Sequence, residues 1–464
     1  MRLTPPPLEI GETDGFSQND LFGLAEFGDR LANLVCRLDE PLVVALDGPW
    51  GSGKSTFVQQ WAGLLRQRQV PVILFDAFAN DHQEDAFISL ASEITALAQA
   101  RAQEHGAAVG DFLNKAKKVG RVLTPLAVKA LIRAATLNLL ATEDLKGLSA
   151  DVQDAIKDTA ADASAATEQL IEERLKRAEA DRDTLEAFRR SLSVLAEQLG
   201  PSSPATSTET AQPDVRKPLV FIIDELDRCR PPFALNLLER VKHLFSVKNV
   251  CFVLVSHLPQ LKAVIQSSYG LGVDAHTYLE KFFHLRVTMP APDPQIQNRI
   301  GQYVSYLWKV MALQSGDLGY DQFIQKGLET LGIMYKLSLR TIERVVASTA
   351  LFHATTSDKH LRIPCIIVGL CVMKHIDPDL YNEARSGMLE WQDVKKFLRL
   401  DGWNDANASE LYERWWRYAS DESLLQNEEW VGQVKASLFM YNVTRERIVP
   451  IACNHIDSLH IIDA

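Results

Sequence analysis

The sequence is poor in cysteine and has no cysteine pair with metal-binding spacing. Its six cysteines are scattered over 464 residues, and none stands in a CxxC pair. Neither a disulfide framework nor a zinc site is expected, and scattered thiols suit a reducing compartment. The opening stretch MRLTPPPLEIGETDG lacks the charged region and apolar core of a signal peptide. We therefore predict a cytoplasmic location.

The sequence also lacks an uninterrupted apolar run of membrane length and an excess of positive charge. The best candidate span, residues 121–141, carries Lys129 and Arg133 near its middle. Charges there are costly in hydrocarbon, so a helix buried in protein or lying on a surface is favoured. The net charge of -11 argues against a broadly basic nucleic-acid surface. A local basic patch remains open.

What is present is the composition of a soluble globular chain, 46% hydrophobic and 23% charged. Short apolar runs alternate with helical patterns, which indicates a parallel sheet with right-handed crossovers. The predicted strands are 41–48, 70–78, 219–224 and 250–256. The predicted helices are 19–40, one from the glycine loop to Gln67, 85–102, 232–246 and most of the chain after 295.

Residues 106–200 contain few strand formers. A stripe of large apolar residues recurs there at alternating spacings of three and four: Leu185, Phe188, Leu192, Leu195 and Leu199. The stripe is only about two heptads long, so a helix packed on the core is favoured over a coiled coil. Residues 200–218 are predicted to be a loop or a disordered linker.

The stretch VVALDGPWGSGKSTFVQQW, residues 43–61, matches the pattern GxxxxGK[ST] between a predicted strand and a predicted helix. Triphosphate oxygens need several converging backbone N–H groups, which side chains would obstruct. Lys54 is expected to reach the β- and γ-phosphates, Ser55 to ligate magnesium and Thr56 to bond the α-phosphate. The predicted nucleotide-binding loop is Gly48, Pro49, Trp50, Gly51, Ser52, Gly53, Lys54, Ser55 and Thr56.

A second motif, LVFIIDELDRCRPP, supplies carboxylates at the end of another predicted strand. Asp224 is expected to hold magnesium through water, and Glu225 to polarise the attacking water as general base. Alone, this stretch is equally compatible with a solvated acidic turn. Its combination with the glycine loop favours the metal and catalytic roles.

Further candidates are less specific. Ser256 or His257, at the end of the strand 250–256, is placed to contact the γ-phosphate or the attacking water, although His257 is equally compatible with a capped loop histidine. Phosphoryl transfer spreads negative charge, so an arginine is expected to complete the site, in the same chain or across a subunit interface. Arg228 and Arg340 are the preferred candidates over Arg230 and Arg344.

These motifs resemble the KAP family of P-loop NTPases. The matching stretches are ALDGPWGSGKST (45–56), LFDAF (74–78), FIIDELDRC (221–229) and YLEKFF (278–283) followed by MPAPDP. The family usually has Asn at the position of Asp76, Trp at that of Phe78 and a second Asp at that of Glu225. The resemblance implies a three-layer α/β sandwich of the division with an extra strand between the two motifs, which includes AAA+ and signal-transducing NTPases.

The resemblance also implies ATP as ligand, Mg²⁺ as cofactor and signalling or antiphage defence as the setting. Many relatives carry membrane helices where this chain has the polar, helical residues 106–215, so membrane attachment is not expected. The segment LYERWWRYA (411–419) is not part of this resemblance, and for Trp415 and Trp416 helix packing is favoured over a base-stacking platform. The predicted division of the chain is an NTPase core (1–105 and 219–295), a helical insert with linker (106–218), a lid-like subdomain (296–380) and a C-terminal helical region (381–464).

Three functions fit these observations. The leading hypothesis is a magnesium-dependent ATPase that drives a conformational cycle, with a second copy or another protein bound through the insert or the C-terminal region. The alternative is a nucleotide-gated scaffold with negligible hydrolysis. A nucleic-acid motor or sensor is the weakest, because the acidic balance disfavours it.

Overall fold

The computed structural model describes most of the chain, and all structural statements below concern the ranges 1–37, 40–83, 85–100, 102–123, 180, 182–200, 217–290, 299–314, 317–357, 359–421 and 429–458. Within these ranges no helix combines the length and the apolar character needed to cross a bilayer. The charged apolar segment proposed at 121–141 lies outside them from residue 124 onward, as does the predicted linker between 201 and 216.

The described residues contain one parallel five-stranded sheet. Its strands are β1 (Leu42–Asp47), β2 (Val72–Asp76), β3 (Leu219–Asp224), β4 (Val250–Ser256) and β5 (Leu285–Thr288). Their spatial order is β2-β3-β4-β1-β5. The extra strand expected between the two motifs is therefore β4, which pairs with both β1 and β3.

Both faces of the sheet are buried, which explains the continuous apolar runs in the sequence. Successive side chains of a strand point to opposite faces. Phe221 and Ile223 of β3 belong to one hydrophobic core, whereas Val220 and Ile222 belong to the other. All six residues of β3 are buried.

Helices cover the two faces of this sheet. In the N-terminal part they are α1 (Ala25–Arg37), α2 (Lys54–Gln67), α3 (Ala86–Ala100), α4 (Ala102–Leu123), α5 (182–199), α6 (Pro231–Arg240), α7 (Leu258–Tyr269) and α8 (Ala275–Glu280). Helices α1 and α2 contribute to the core on one face, and α3 to α8 contribute to the core on the other. The layers are thus helix, sheet and helix.

The apolar stripe of α5 is confirmed as core packing. Phe188 is fully buried, and its ring lies 5.3 Å from that of Phe87 and 5.5 Å from that of Phe245. Leu192, Leu195 and Leu199 are buried in the same core. Because this core also contains strand residues, the helix packs on the sheet as part of one helical layer.

The rest of the chain is helical, as predicted. Its helices are α9 (Arg299–Val310), α10 (Leu318–Met334), α11 (Leu339–Thr355), α12 (Pro364–Ile376), α13 (Pro378–Ser386), α14 (Trp391–Leu398), α15 (Ala406–Ser420), α16 (Glu429–Leu438) and α17 (Ile448–Asp457). They share one hydrophobic core, in which Trp416 is fully buried and donates from Nε1 to the Cys365 carbonyl at 3.1 Å. Packing is therefore confirmed for Trp416. The boundary predicted at residue 380 stays a prediction.

Two details differ from the sequence prediction. The predicted first helix starts at Ala25 instead of 19, because the Asp20 carboxylate accepts from the backbone N–H groups of Leu24 and Ala25 at 2.7 and 2.9 Å and ends the preceding turn there. Strand β5 was not predicted. It has four residues, none of which is buried, so it shows no apolar run.

Candidate functional site

The glycine loop and the acidic motif meet at one edge of the sheet. Parallel strands have their carboxyl ends at the same edge, where open α/β sheets bind ligands. The loop follows β1, Asp224 ends β3, and Gly48 N donates to the Ser256 carbonyl at the end of β4 (3.2 Å). A cavity of about 210 Å³ lies between them. From the two motifs it is lined by Trp50, Gly51, Ser52, Gly53, Lys54, Ser55, Thr56, Asp224, Glu225, Asp227 and Arg228.

The loop turns on two left-handed glycines and is braced by the helical half. Gly51 and Gly53 have φ angles of 71° and 86°, a region that glycine adopts without steric cost. The Gly51 carbonyl accepts from the backbone N–H of Leu339 at 3.0 Å. A Cβ on Gly51 would lie 3.1 Å from the Cβ of Arg340. The start of α11 therefore lies directly against the loop.

Lys54 is held over the loop by backbone carbonyls. Its Nζ donates to the carbonyls of Gly48 at 2.5 Å and Pro49 at 3.1 Å. Burial lowers the pKa of the Lys54 ammonium, and the carboxylates of Asp227 and Asp224 oppose that shift. Gly48 and Pro49 do not line the cavity themselves; their carbonyls position the lysine.

Asp224 and Ser55 connect the two motifs. Burial raises the pKa of Asp224, while a hydrogen bond from the Ser55 side chain and one from the Glu225 backbone N–H lower it. The latter measures 2.8 Å to Oδ1. Asp76 pairs with Asp224 across β2 and β3, and the negative charge of Asp76 also raises the pKa of Asp224. The first hydroxyl of α2 and the carboxylate that ends β3 thus line the same cavity.

Glu225 has a strained backbone and a charged partner. Its φ of 58° is left-handed, which costs a non-glycine residue about 1–2 kcal/mol. Burial raises the pKa of Glu225, and the Arg228 guanidinium lowers it. Arg228 Nη1 lies 2.7 Å from Glu225 Oε1. Strained residues cluster at functional sites, and this one faces the cavity.

Trp50 and His257 form a contact beside the loop. The Trp50 indole donates from Nε1 to Asp227 Oδ2 at 2.5 Å, and its ring centroid lies 5.5 Å from that of His257. His257 does not line the cavity. The structure therefore places His257 against Trp50 and outside the cavity lining, and its contact with phosphate stays a prediction.

Three buried polar atoms around the loop make no hydrogen bond to the described part of the protein. They are Ser52 Oγ, Ser256 Oγ and His257 Nδ1. Buried polar groups in native proteins are nearly always paired, by protein, water or ligand. Of the three residues, only Ser52 lines the cavity, so its hydroxyl is the one placed to meet a ligand there.

Among the four candidate arginines, Arg228 and Arg340 line the cavity, while Arg230 and Arg344 do not. Arg340 comes from α11 of the same chain. Arg230 lies 3.5 Å from Asp81, away from the site. The structure thus brings both preferred arginines to the cavity, one from the acidic motif and one from α11.

A second, larger cavity of about 770 Å³ continues from the first. The N-terminal segment contributes Pro5, Pro6, Pro7, Leu8 and residues 16–22 to its wall, and α9 contributes Tyr303 and Tyr306. No motif marked these residues, because they come together only through tertiary packing. The segment is anchored by Arg2 N to the Met311 carbonyl (2.7 Å) and by Gln67 Nε2 to the Thr13 carbonyl (2.7 Å).

Asp47 is a site residue that the sequence prediction missed. It ends β1 immediately before the loop and is buried. Oδ1 accepts from the backbone N–H of Leu258 at 3.0 Å, and Oδ2 accepts from Arg286 at 2.6 Å. The carboxylate therefore joins the end of β1 to the start of α7 and to β5. Its position at a strand end, like that of Asp224, was the available signal.

Comparison with known proteins agrees with this geometry. The model of the KAP family P-loop domain matches residues 25–355. No curated protein matches the chain. Among solved structures, that of the Aeropyrum pernix ORC2 protein in ADPNP–ADP complexes is similar over 98% of this chain and 96% of its own, with 11% sequence identity and a TM-score of 0.35. A similarity this weak says nothing about function.

Replacing Asp47 tests its structural role. We expect Asp47→Ala to lower the free energy of unfolding by about 2–3 kcal/mol, because the buried N–H of Leu258 loses a charged acceptor. Asp47→Asn keeps an acceptor and loses less. Arg286→Ala is the matched control and is expected to lose under about 1 kcal/mol, because Arg286 is half exposed. Urea unfolding measures the free energy of unfolding of all three variants. Equal losses of stability in Asp47→Ala and Arg286→Ala contradict the structural role of Asp47.

Proposed function

The chain belongs to the KAP family of P-loop NTPases, and on that premise we propose that it is a magnesium-dependent ATPase whose nucleotide state is coupled to its helical half. The observation that carries the proposal is that Ser55 and Asp224 line one cavity together with the start of α11. Loop, acidic strand end and helical half share one site. The proposed setting is a cytosolic assembly with a second copy or another protein.

The described residues fit a triphosphate and a magnesium ion. Lys54 Nζ and the loop N–H groups supply positive charge, and a Cβ on Gly48 would lie 3.0 Å from Ser52 Oγ, so a side chain at this position would be crowded. The Ser55 hydroxyl and the Asp224 carboxylate would hold Mg²⁺, and such oxygen ligands are those that it prefers. When bound, Mg²⁺ neutralises charge on the β- and γ-phosphates.

Glu225 is the proposed general base. Its side chain is mostly buried and faces the cavity beside Asp224. A carboxylate there can take the proton of an attacking water at its free oxygen while Arg228 fixes the other. Arg228 is thus proposed to position Glu225, and any direct contact of Arg228 with phosphate stays a prediction.

Arg340 is proposed to stabilise the charge that develops on the transferred phosphoryl group. It stands on the first turn of α11, next to Leu339, whose N–H bonds the loop. Because this arginine lines the cavity of its own chain, we expect the site to be complete in cis. Loss of the γ-phosphate would remove its partner and release the start of α11, which couples hydrolysis to movement.

The preference for ATP and the role in antiphage defence rest on the family resemblance alone. The biological setting can be tested by plating phage on bacteria that express the chain or its Lys54→Ala variant. We expect the wild type to reduce plaque number and the variant to lose that protection, because phosphate binding is abolished. Equal plaque numbers on both contradict the defence role without touching the biochemical proposal.

Separate variants distinguish hydrolysis from binding. We expect Glu225→Gln to retain ATP binding and to hydrolyse ATP at least about a hundredfold more slowly, the scale of a lost general base. Lys54→Ala is expected to lose binding, because it removes the charge over the phosphate site. Phosphate release and isothermal calorimetry measure the two properties, with Glu239→Gln on the exposed face of α6 as control.

The same measurements decide between the candidate functions. Turnover per molecule that does not change with protein concentration is expected for a site complete in cis. Equal turnover in wild type and Glu225→Gln contradicts the catalytic role. Tight ATP binding without turnover in the wild type supports the nucleotide-gated scaffold instead.

The ion pair between Arg228 and Glu225 predicts the direction in which the pH dependence of hydrolysis shifts when Arg228 is replaced. The base must be ionised, so hydrolysis rises with pH through the pKa of Glu225. Burial raises the pKa of Glu225 and Arg228 lowers it. We therefore expect Arg228→Gln to raise this pKa further and to move the acidic limb of the pH–kcat profile to higher pH. Arg230→Gln, outside the cavity, is the control, and a limb that stays in place or moves to lower pH contradicts the assignment.

A further inference from the structure

The two cavities meet at a small set of shared residues. Those that line both are Gly53, Thr56, Tyr303, Leu339 and Glu343. If the loop binds a triphosphate as proposed, Thr56 lies at its α-phosphate end. The next group of a nucleotide is the sugar, so the shared residues surround the sugar position. This step rests on the proposed function.

Glu343 is the acidic side chain at this junction, and one of its two carboxylate oxygens already has a hydrogen-bond partner. The Tyr303 hydroxyl donates to Glu343 Oε1. Oε2 has no hydrogen-bond or ion-pair partner among the described residues. A carboxylate oxygen accepts hydrogen bonds only, and it repels phosphates. The neutral donors of a nucleotide at this position are the ribose hydroxyls.

Tyr303 is itself fixed by packing. Its ring stacks on Tyr306 with centroids 6.1 Å apart and planes 14° apart, and it lies 5.9 Å from the ring of Phe22. Burial and the hydrogen bond to Glu343 raise the pKa of Tyr303 well above its usual range, so the phenol stays protonated. Because the phenol donates, the proton of this bond belongs to Tyr303 and Glu343 remains an acceptor.

We propose that Glu343 recognises the nucleotide sugar by accepting a hydrogen bond from a ribose hydroxyl at Oε2, with Tyr303 as the positioning residue. Glu343 lies one helical turn beyond Leu339, whose N–H bonds the Gly51 carbonyl. Consecutive turns of α11 therefore contact the loop and the proposed sugar position. A deoxyribonucleotide would lose a charged acceptor that the ribonucleotide keeps.

The test compares the affinities of ATP, 2′-deoxy-ATP and 3′-deoxy-ATP for the full chain by calorimetry. For the wild type we expect one of the two analogues to bind at least about tenfold more weakly than ATP, the scale of one hydrogen bond to a charged group. Glu343→Ala is expected to bind ATP as weakly as that analogue, which brings the ratio of the two affinities close to one. Glu343→Gln keeps a neutral acceptor and is expected to give an intermediate ratio.

Two further variants separate recognition from folding. Tyr303→Phe is expected to lower the ratio of the affinity for ATP to that for the weaker analogue. A purely structural role of Tyr303 would instead weaken the binding of all three nucleotides equally. Glu383→Ala, on the exposed face of α13, is the matched control and keeps the wild-type ratio. If Glu343→Ala does not fold, the affinity ratios of the wild type and of Glu343→Gln still test the proposal.

Three results would overturn the inference. A wild type that binds both analogues as tightly as ATP has no sugar recognition. Full discrimination retained in Glu343→Ala or Glu343→Gln assigns it to another group. A wild type that binds no ATP, or whose binding survives Lys54→Ala, overturns the proposed function, and with it this inference.

Discussion

Strand β4 lies between β1 and β3 and is hydrogen-bonded to both, and the geometry of the site depends on that pairing. The parallel ladders fix the ends of β1 and β3 at one edge, on either side of Ser256. The width of this one intervening strand sets the separation between the loop that follows β1 and Asp224 at the end of β3. The buried faces of β4, all seven residues of which are buried, hold this spacing rigidly.

Packing of this kind can support groups that are unfavourable in isolation. Glu225 adopts a left-handed backbone, and Ser52, Ser256 and His257 bury polar atoms without a partner in the described protein. Each such feature costs about 1–3 kcal/mol. Two hydrophobic cores, one on each face of the sheet, offset these costs. Of these groups, Glu225 and Ser52 line the cavity itself, where the proposed ligand would contact them.

The sequence predicts the parts of this structure whose chemistry is local. The glycine loop and the pair Asp224–Glu225 are contiguous motifs, and strands buried on both faces appear as continuous apolar runs. Strand β5 was missed because its residues are at least partly exposed and give no such run. Tyr303 and Glu343 were missed because each is a single residue more than 200 positions from the loop. Only the packing of α9 and α11 brings them to the cavity, and no spacing in the sequence encodes that packing.

Helix α11 is where the two halves of the chain meet. Leu339 bonds the loop, Arg340 follows at once, and Glu343 comes one turn later beside Tyr303. Ser338 caps the helix by accepting from the Thr341 N–H at 3.2 Å, so the first turn is fixed where it touches Gly51. From this turn onward the helix is buried in the core of the C-terminal half through Ile342, Val345 and Val346. The start of α11 contacts the loop and the rest of the helix is buried in that core, which gives the helical half a physical connection to the site.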